Sequence, residues 1–226
     1  MMKRFIFSIF LLPLLLASPQ TKAQGIMLTP KWTAQAQFTG YYVADKLGFY
    51  KEEGIDVCVQ HPAISESSFS FMEKGRAPVV IMNLSYAFME RLAGARVVNV
   101  MQTSQENSLM LISHSPLKGE ESLRNQKIAV WNHLSQKLLD RLAEHYALKQ
   151  VEWIRFNSGV NVFLSGAADP CLVGSYNEYL QLSEYGMNVD SIYSIRLADY
   201  GYNLPEDGLY VTEEFYNQYP EVVRKL

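Results

Sequence analysis

The chain has 226 residues, 48% hydrophobic and 19% charged, with a formal net charge of −3. That length supplies one large core or two small ones, and the near-neutral balance, without a Lys/Arg stripe, argues against nucleic acid as a partner. Two cysteines, and histidines at 61, 114, 133 and 145 with no metal-ligand spacing, call for neither a metal nor a cofactor.

Met1-Met2-Lys3-Arg4 is a short basic stretch, Phe5 to Ala17 is an almost unbroken apolar run, and Thr21-Lys22-Ala23 offers small residues for signal-peptidase cleavage. The run falls short of the roughly 20 residues that span a bilayer, and no second run of that length follows. A secretory signal is therefore expected over 1–23, with a periplasmic mature chain starting near Gln24. No cysteine lies near the cleavage site to carry a lipid anchor.

Beyond it, strand and helix signals alternate. Ile26 to Thr29 reads as a strand. Thr39 to Leu47 carries Tyr41, Val43, Ala44 and Leu47 at helical spacing, and Gly48 ends it as a C-cap. Residues 49–54 read as a turn and Ile55 to Gln60 as a second strand. Ser65 to Ser68 provides N-cap hydroxyls for a helix to about Lys74. Val79 to Met82 is a short buried strand, Ser85 to Ala93 a helix, and Val97 to Met101 and Leu109 to Ser113 further strands. A second unit repeats the pattern. It has a helical turn over 122–125, a strand from Lys127 to Trp131 and an amphipathic helix from Ser135 to Tyr146. A strand from Glu152 to Phe156, a helix from Val160 to Ser165 ending at Gly166, and a strand from Cys171 to Val173 complete it.

This alternation predicts an α/β fold with mainly parallel pairing. Two lobes joined by crossing strands, Leu109 to Ser113 outward and Leu209 to Val211 returning, would enclose a cleft suited to a small molecule. The expected division is 24–110 for the first lobe, 111–207 for the second, and 208–226 for the return and an incomplete completion of the first. Cys58 and Cys171 sit in strand-like stretches and read as buried free thiols, with pairing in an oxidising compartment as the alternative.

The stretch Trp32-Thr33-Ala34-Gln35-Ala36-Gln37-Phe38-Thr39-Gly40-Tyr41-Tyr42-Val43-Ala44, followed by Gly48-Phe49-Tyr50-Lys51-Glu52-Glu53-Gly54-Ile55-Asp56-Val57, closely resembles the opening of a family of periplasmic binding proteins, the nitrate/sulfonate/taurine and thiamine-pyrimidine family. Tyr176-Asn177-Glu178-Tyr179, and Asp199-Tyr200-Gly201-Tyr202-Asn203 leading into Pro205-Glu206-Asp207-Gly208-Leu209-Tyr210-Val211, look like the same family in the same order. The resemblance implies a two-lobed type II periplasmic-binding-protein fold with a hinged cleft, serving the permease of an ABC importer, with the thiamine-precursor branch nearer. Members of that family continue past the position of Leu226. The resemblance thus implies a fold truncated at the C-terminus, with Val222, Val223 and Leu226 left with few partners.

A flat, nitrogen-rich ring such as an aminopyrimidine asks for an aromatic face and for amide or carboxylate groups. Trp32, after the first strand, is the stacking candidate, with Gln35, Gln37 and Tyr41 beside it; core packing and solvated loop glutamines are the competing readings. Asn83 ends a strand where clefts collect polar groups, or else caps the next helix. Tyr86 stands one helical step further. Trp131 and Asn132 would face the cleft from the second lobe. Tyr176, Asn177 and Glu178 form the strongest group, an aromatic, an amide and a carboxylate after a buried strand, with Glu178 as a helix-dipole partner the alternative.

Two other functions compete. The resembling family includes a synthase of the thiamine pyrimidine that needs a Schiff-base lysine and a cysteine-rich segment; the latter is absent here, and export separates the chain from cytosolic pyridoxal. Serine hydrolysis lacks a Gly-x-Ser-x-Gly elbow. Similar domains also look like the ligand-sensing halves of membrane signalling proteins.

Overall fold

A computed structural model describes residues 25–117, 123–131, 140, 143, 144 and 150–226. The expected signal segment, Asn132 and nearly all of the expected helix from Ser135 to Tyr146 lie outside the described residues.

Strands β1 (Ile26–Thr29), β2 (Val57–Val59), β3 (Val79–Asn83), β4 (Val97–Gln102) and β10 (Asp207–Thr212) form one sheet in the order β2-β1-β3-β10-β4. Strands β5 (Leu109–Ser113), β6 (Lys127–Trp131), β7 (Glu152–Phe156), β8 (Cys171–Gly174) and β9 (Tyr193–Arg196) form a second, ordered β7-β6-β8-β5-β9. Described helices are α1 (Thr39–Leu47), α2 (Phe49–Glu52), α3 (Ser68–Glu73), α4 (Leu84–Leu92), α5 (Asn161–Leu164), α6 (Glu178–Glu184), α7 (Glu213–Gln218) and α8 (Pro220–Val223).

Burial follows sheet position. Central β3 hides Val79, Val80, Ile81 and Met82 completely, because a strand covered on both faces needs an unbroken apolar run. Each such side chain contributes about 2 kcal/mol of burial. β4, at an edge, alternates inward and outward residues instead.

Pairing departs from the mainly parallel expectation. β1 runs parallel to β2 and β3, and β6 parallel to β7 and β8, but β10 is antiparallel to β3 and β4, and β5 antiparallel to β8 and β9. The cause is the chain path: each unit receives a strand arriving from the other, and that strand enters from the end where its neighbours leave.

Other expectations need adjustment. Residues 49–52 form α2 instead of a turn, because Gly48, at φ 84, ends α1 in the left-handed region and restarts the chain at once. Cys58 is exposed, not buried, since its side chain leaves the outer face of edge strand β2; Cys171 is buried, and both are free thiols. Val222, Val223 and Leu226 pack against the first core together with Phe215, so they do not lack partners. Lys225 Nζ donates to the Glu53 carbonyl at 2.7 Å and fastens this end to the turn after α2.

Candidate functional site at the junction of the sheets

The topology brings strand ends to one place. β1 and β3 finish where antiparallel β10 begins, with Asp207 opposite Asn83. In the second sheet β8 finishes where β5 begins, with Gly174 opposite Leu109. The two crossing segments, 103–108 and 203–206, therefore lie between the carboxyl ends of both parallel sets, where open α/β sheets hold ligands.

The crossings are stitched together. The Asn107 amide N–H donates to Asn203 Oδ1 at 3.0 Å and its side-chain amide donates to the Tyr202 carbonyl. The Asp207 carbonyl accepts from the amides of Thr103 and Ser104, from Thr103 Oγ1 at 2.8 Å and from Gln102 Nε2 at 2.9 Å. Gly208 makes this approach possible, since a Cβ there would stand 2.8 Å from Gln102 Oε1 and 2.9 Å from Asn99 Nδ2.

On the first sheet's side, Lys31 Nζ donates to Asn83 Oδ1 at 2.6 Å and pairs with the Asp207 carboxylate. Asn83 occupies the N-cap position of α4 by backbone, but its side chain makes no capping bond, so the lysine contact explains that side chain better than the capping alternative. Tyr41 reaches the same corner from α1. Burial first, then the Asp207 and Tyr50 charges, push its hydroxyl up to about 12 against a lowering bond with Thr103. Trp32 packs half-buried against the first core. Its carbonyl accepts from His61 Nδ1 at 2.5 Å, which leaves His61 Nε2 to accept from the Tyr42 hydroxyl at 2.6 Å. Gln37 Nε2 donates to Gln35 Oε1 at 3.4 Å, while Gln37 Oε1 is buried without a hydrogen-bond partner among the described residues.

On the second side, buried Glu178 opens α6 and gathers three donors. Trp131 Nε1 at 3.3 Å and Asn177 Nδ2 at 3.1 Å reach Oε1, and the Gly174 amide reaches Oε2 at 3.1 Å. Gln181 Nε2 holds Asn177 Oδ1 at 3.1 Å. The carboxylate thus has specific partners beyond any helix dipole.

Tyr176 joins the two sides. Its hydroxyl is driven far above the ordinary tyrosine value, by burial first and then by the charges of Glu206, Asp207 and Glu178, with a bond to Ser108 acting against them. Ser108 Oγ donates to Glu206 Oε2 at 2.9 Å, and the Ser108 carbonyl accepts from the Ser175 amide at 2.9 Å. Burial raises the Glu206 carboxyl above its ordinary value, with Lys31 and Ser108 lowering it and Asp207 raising it.

Of the expected residues, Asn83 and Tyr41 thus meet around Asp207, and Trp131, Asn177 and Glu178 meet on the other side of Tyr176. Tyr86 does not join them: its ring sits edge-on to Phe69, 6.3 Å away, and its hydroxyl senses Ser67 and Glu73 of the neighbouring α3 and Glu90 of its own helix α4. Asn132 lies outside the described residues. Lys31, Ser108, Glu206 and Asp207 were not among the expected site residues, although Lys31 precedes Trp32 directly and Glu206-Asp207 leads into the return strand. A cavity of about 380 Å³ between α3, α4 and β4, bordered by Phe69, Met72, Glu90 and Arg96, contains none of these residues.

Comparison with known proteins gives the arrangement relatives. The family model described as NMT1/THI5 like matches residues 35–226. The riboflavin-binding protein RibY of Chloroflexus aurantiacus is 28% identical over 218 residues, covering 91% of this chain and 60% of its own. A 4-amino-5-hydroxymethyl-2-methylpyrimidine phosphate synthase of Saccharomyces cerevisiae, THI13, is 22% identical over 208 residues, covering 86% of this chain and 61% of its own. The chain therefore spans about 60% of the length of these relatives.

Among solved structures, the periplasmic aliphatic sulphonate binding protein SsuA of Escherichia coli superposes with a TM-score of 0.66 at 14% identity, over 88% of this chain and 69% of its own. An ABC transporter periplasmic substrate-binding protein of Coxiella burnetii gives 0.58 at 12% identity, over 88% and 89%. The two-sheet architecture is thus the two-lobed fold of periplasmic binding proteins.

Proposed function

Because the chain belongs to the NMT1/THI5-like family and carries the fold of periplasmic binding proteins, we propose that it is a solute-binding protein that captures a small, flat, nitrogen-rich ring of the aminopyrimidine class at the sheet junction and hands it to an ABC permease. The observation that carries this reading is the position of Tyr176, an aromatic group set against the crossing segments by the bond from the neighbouring Ser175 amide to the Ser108 carbonyl, with Ser108 in turn on Glu206. The junction supplies the kinds of group such a ring needs: an indole at Trp131, amides at Asn83 and Asn177, and an acceptor at Glu206. Trp32, with its backbone held by His61, is the stacking face proposed on the first side.

Binding without catalysis fits the same groups. The Lys31 side chain is engaged by Asp207 and Asn83, so its amine is held within the protein and not presented to a carbonyl substrate as a Schiff base requires. Export to the periplasm belongs to this reading and rests on the signal pattern of 1–23. Among the described residues no helix is long and apolar enough to cross a membrane.

The test is a thermal-shift screen of the purified protein against 4-amino-5-hydroxymethyl-2-methylpyrimidine, thiamine, riboflavin, taurine and nitrate, with Trp32→Ala alongside. A solute that binds the folded state at about 100 times its dissociation constant adds about 2.7 kcal/mol. The melting point is expected to rise with the aminopyrimidine and to lose that rise in Trp32→Ala. A cooperative melt that no compound moves would refute the solute class.

A further inference from the structure

Resting on that reading, we propose that Glu206 is the specificity-determining residue of the junction, accepting an N–H donor from the solute and turning anions away. Three carboxylates meet here, and two have their charge or acceptor capacity satisfied from within. Asp207 faces the Lys31 ammonium. Glu178 receives the Trp131 indole, the Asn177 amide and the Gly174 backbone N–H. Glu206 takes only the hydroxyl and backbone of Ser108, and no ion pair holds it among the described residues. A carboxylate offers about four acceptor positions, so Glu206 keeps acceptor capacity that Glu178 has given to three N–H donors, and it lacks the ammonium partner that faces Asp207.

Position supports the assignment. Glu206 lies on the returning crossing segment, next to Asp207 at the mouth of β10, and accepts from the hydroxyl of Ser108, whose carbonyl in turn holds the amide of Ser175, the neighbour of Tyr176. A solute against the Tyr176 ring therefore meets this carboxylate. Burial disfavours its ionised form, and an amino group or protonated ring nitrogen would relieve that cost. A sulfonate or nitrate would add like charge in a place of low polarisability. Glu178, by contrast, acts as a positioning residue for Trp131 and Asn177.

The experiment compares wild type, Glu206→Gln and Glu178→Gln by calorimetric titration with 4-amino-5-hydroxymethyl-2-methylpyrimidine, taurine and nitrate, with the ligand-free melt of each. Removing the acceptor for a buried donor is expected to weaken aminopyrimidine binding by about tenfold or more. Glu206→Gln should do so without lowering the ligand-free melting point, whereas Glu178→Gln should lower that melting point. Equal aminopyrimidine affinity in wild type and Glu206→Gln overturns the assignment and leaves the solute-binding reading standing. Tight binding of taurine or nitrate by wild type overturns the exclusion of anions. If wild type melts cooperatively yet takes up none of the three, the aminopyrimidine reading fails and the assignment fails with it.

Discussion

The Lys31 ammonium lies against the Asp207 carboxylate, joining the residue two positions past the first strand to the residue that opens the last. Both side chains are largely buried, at 19% and 10% exposure, so solvent screens the pair weakly.

Removing the cation is therefore expected to be costly. Lys31→Met leaves Asp207 charged without a counterion and should destabilise the protein by about 3 kcal/mol, the usual scale for breaking a buried pair from one side. Urea unfolding measures this, and Lys31→Met combined with Asp207→Asn should recover most of the loss. An additive double variant would mean that the two residues do not interact.

Glu178→Ala removes the acceptor of three N–H groups at once. At about 1 kcal/mol for each unsatisfied donor, the expected loss is about 3 kcal/mol. Trp131 loses its indole partner in this variant, so its emission should change in the folded protein. A stable variant with an unaltered spectrum would contradict the hydrogen bonds described.

The Glu206 carboxyl sits above its ordinary value in the folded protein, so the folded state binds the proton more tightly than the unfolded chain does. The stability this contributes is fully present below the unfolded value of about 4.5 and declines as pH rises through the folded value. Glu206→Gln should match wild type near pH 4 and exceed it at pH 8 in melting temperature. A gap of constant size across that range would remove burial as the cause.

Thiol labelling separates the two cysteines. Burial, with Glu178 and Asp169 next, pushes the Cys171 thiol up to about 12, whereas Cys58 is exposed. At pH 8 the native protein should react with one equivalent of a thiol reagent, and with the second only after denaturation. Two rapid equivalents would show that β8 opens readily in the native state.

Much of the framework was legible from local pattern. Ile26–Thr29, Thr39–Leu47, Lys127–Trp131 and Glu152–Phe156 stand where periodicity and turn residues put them, because each is defined by neighbours in sequence. Strand direction was not legible, since the polarity of β5 and β10 depends on where the chain has come from. Nor did sequence reveal how site groups pair. Asn83 looked like a cap or a ligand contact and is held by Lys31; Glu178 looked like the acceptor for the solute and is occupied by Trp131, Asn177 and Gly174. Asn177 and Gly174 are near Glu178 in sequence, but Trp131 stands 47 positions from it and Lys31 stands 52 from Asn83, distances no local pattern covers.

The place of β10 between β3 and β4 bears on how the chain is made. During synthesis the amino-terminal portion appears first, and β1 to β4 are complete long before their missing central partner. The second sheet, whose strands all come from 109–196, can close meanwhile, whereas the first must wait with the flanks of β3 and β4 unpaired. Such waiting edges favour self-association, so the interval before Asp207–Thr212 arrives is when this chain would depend most on a chaperone.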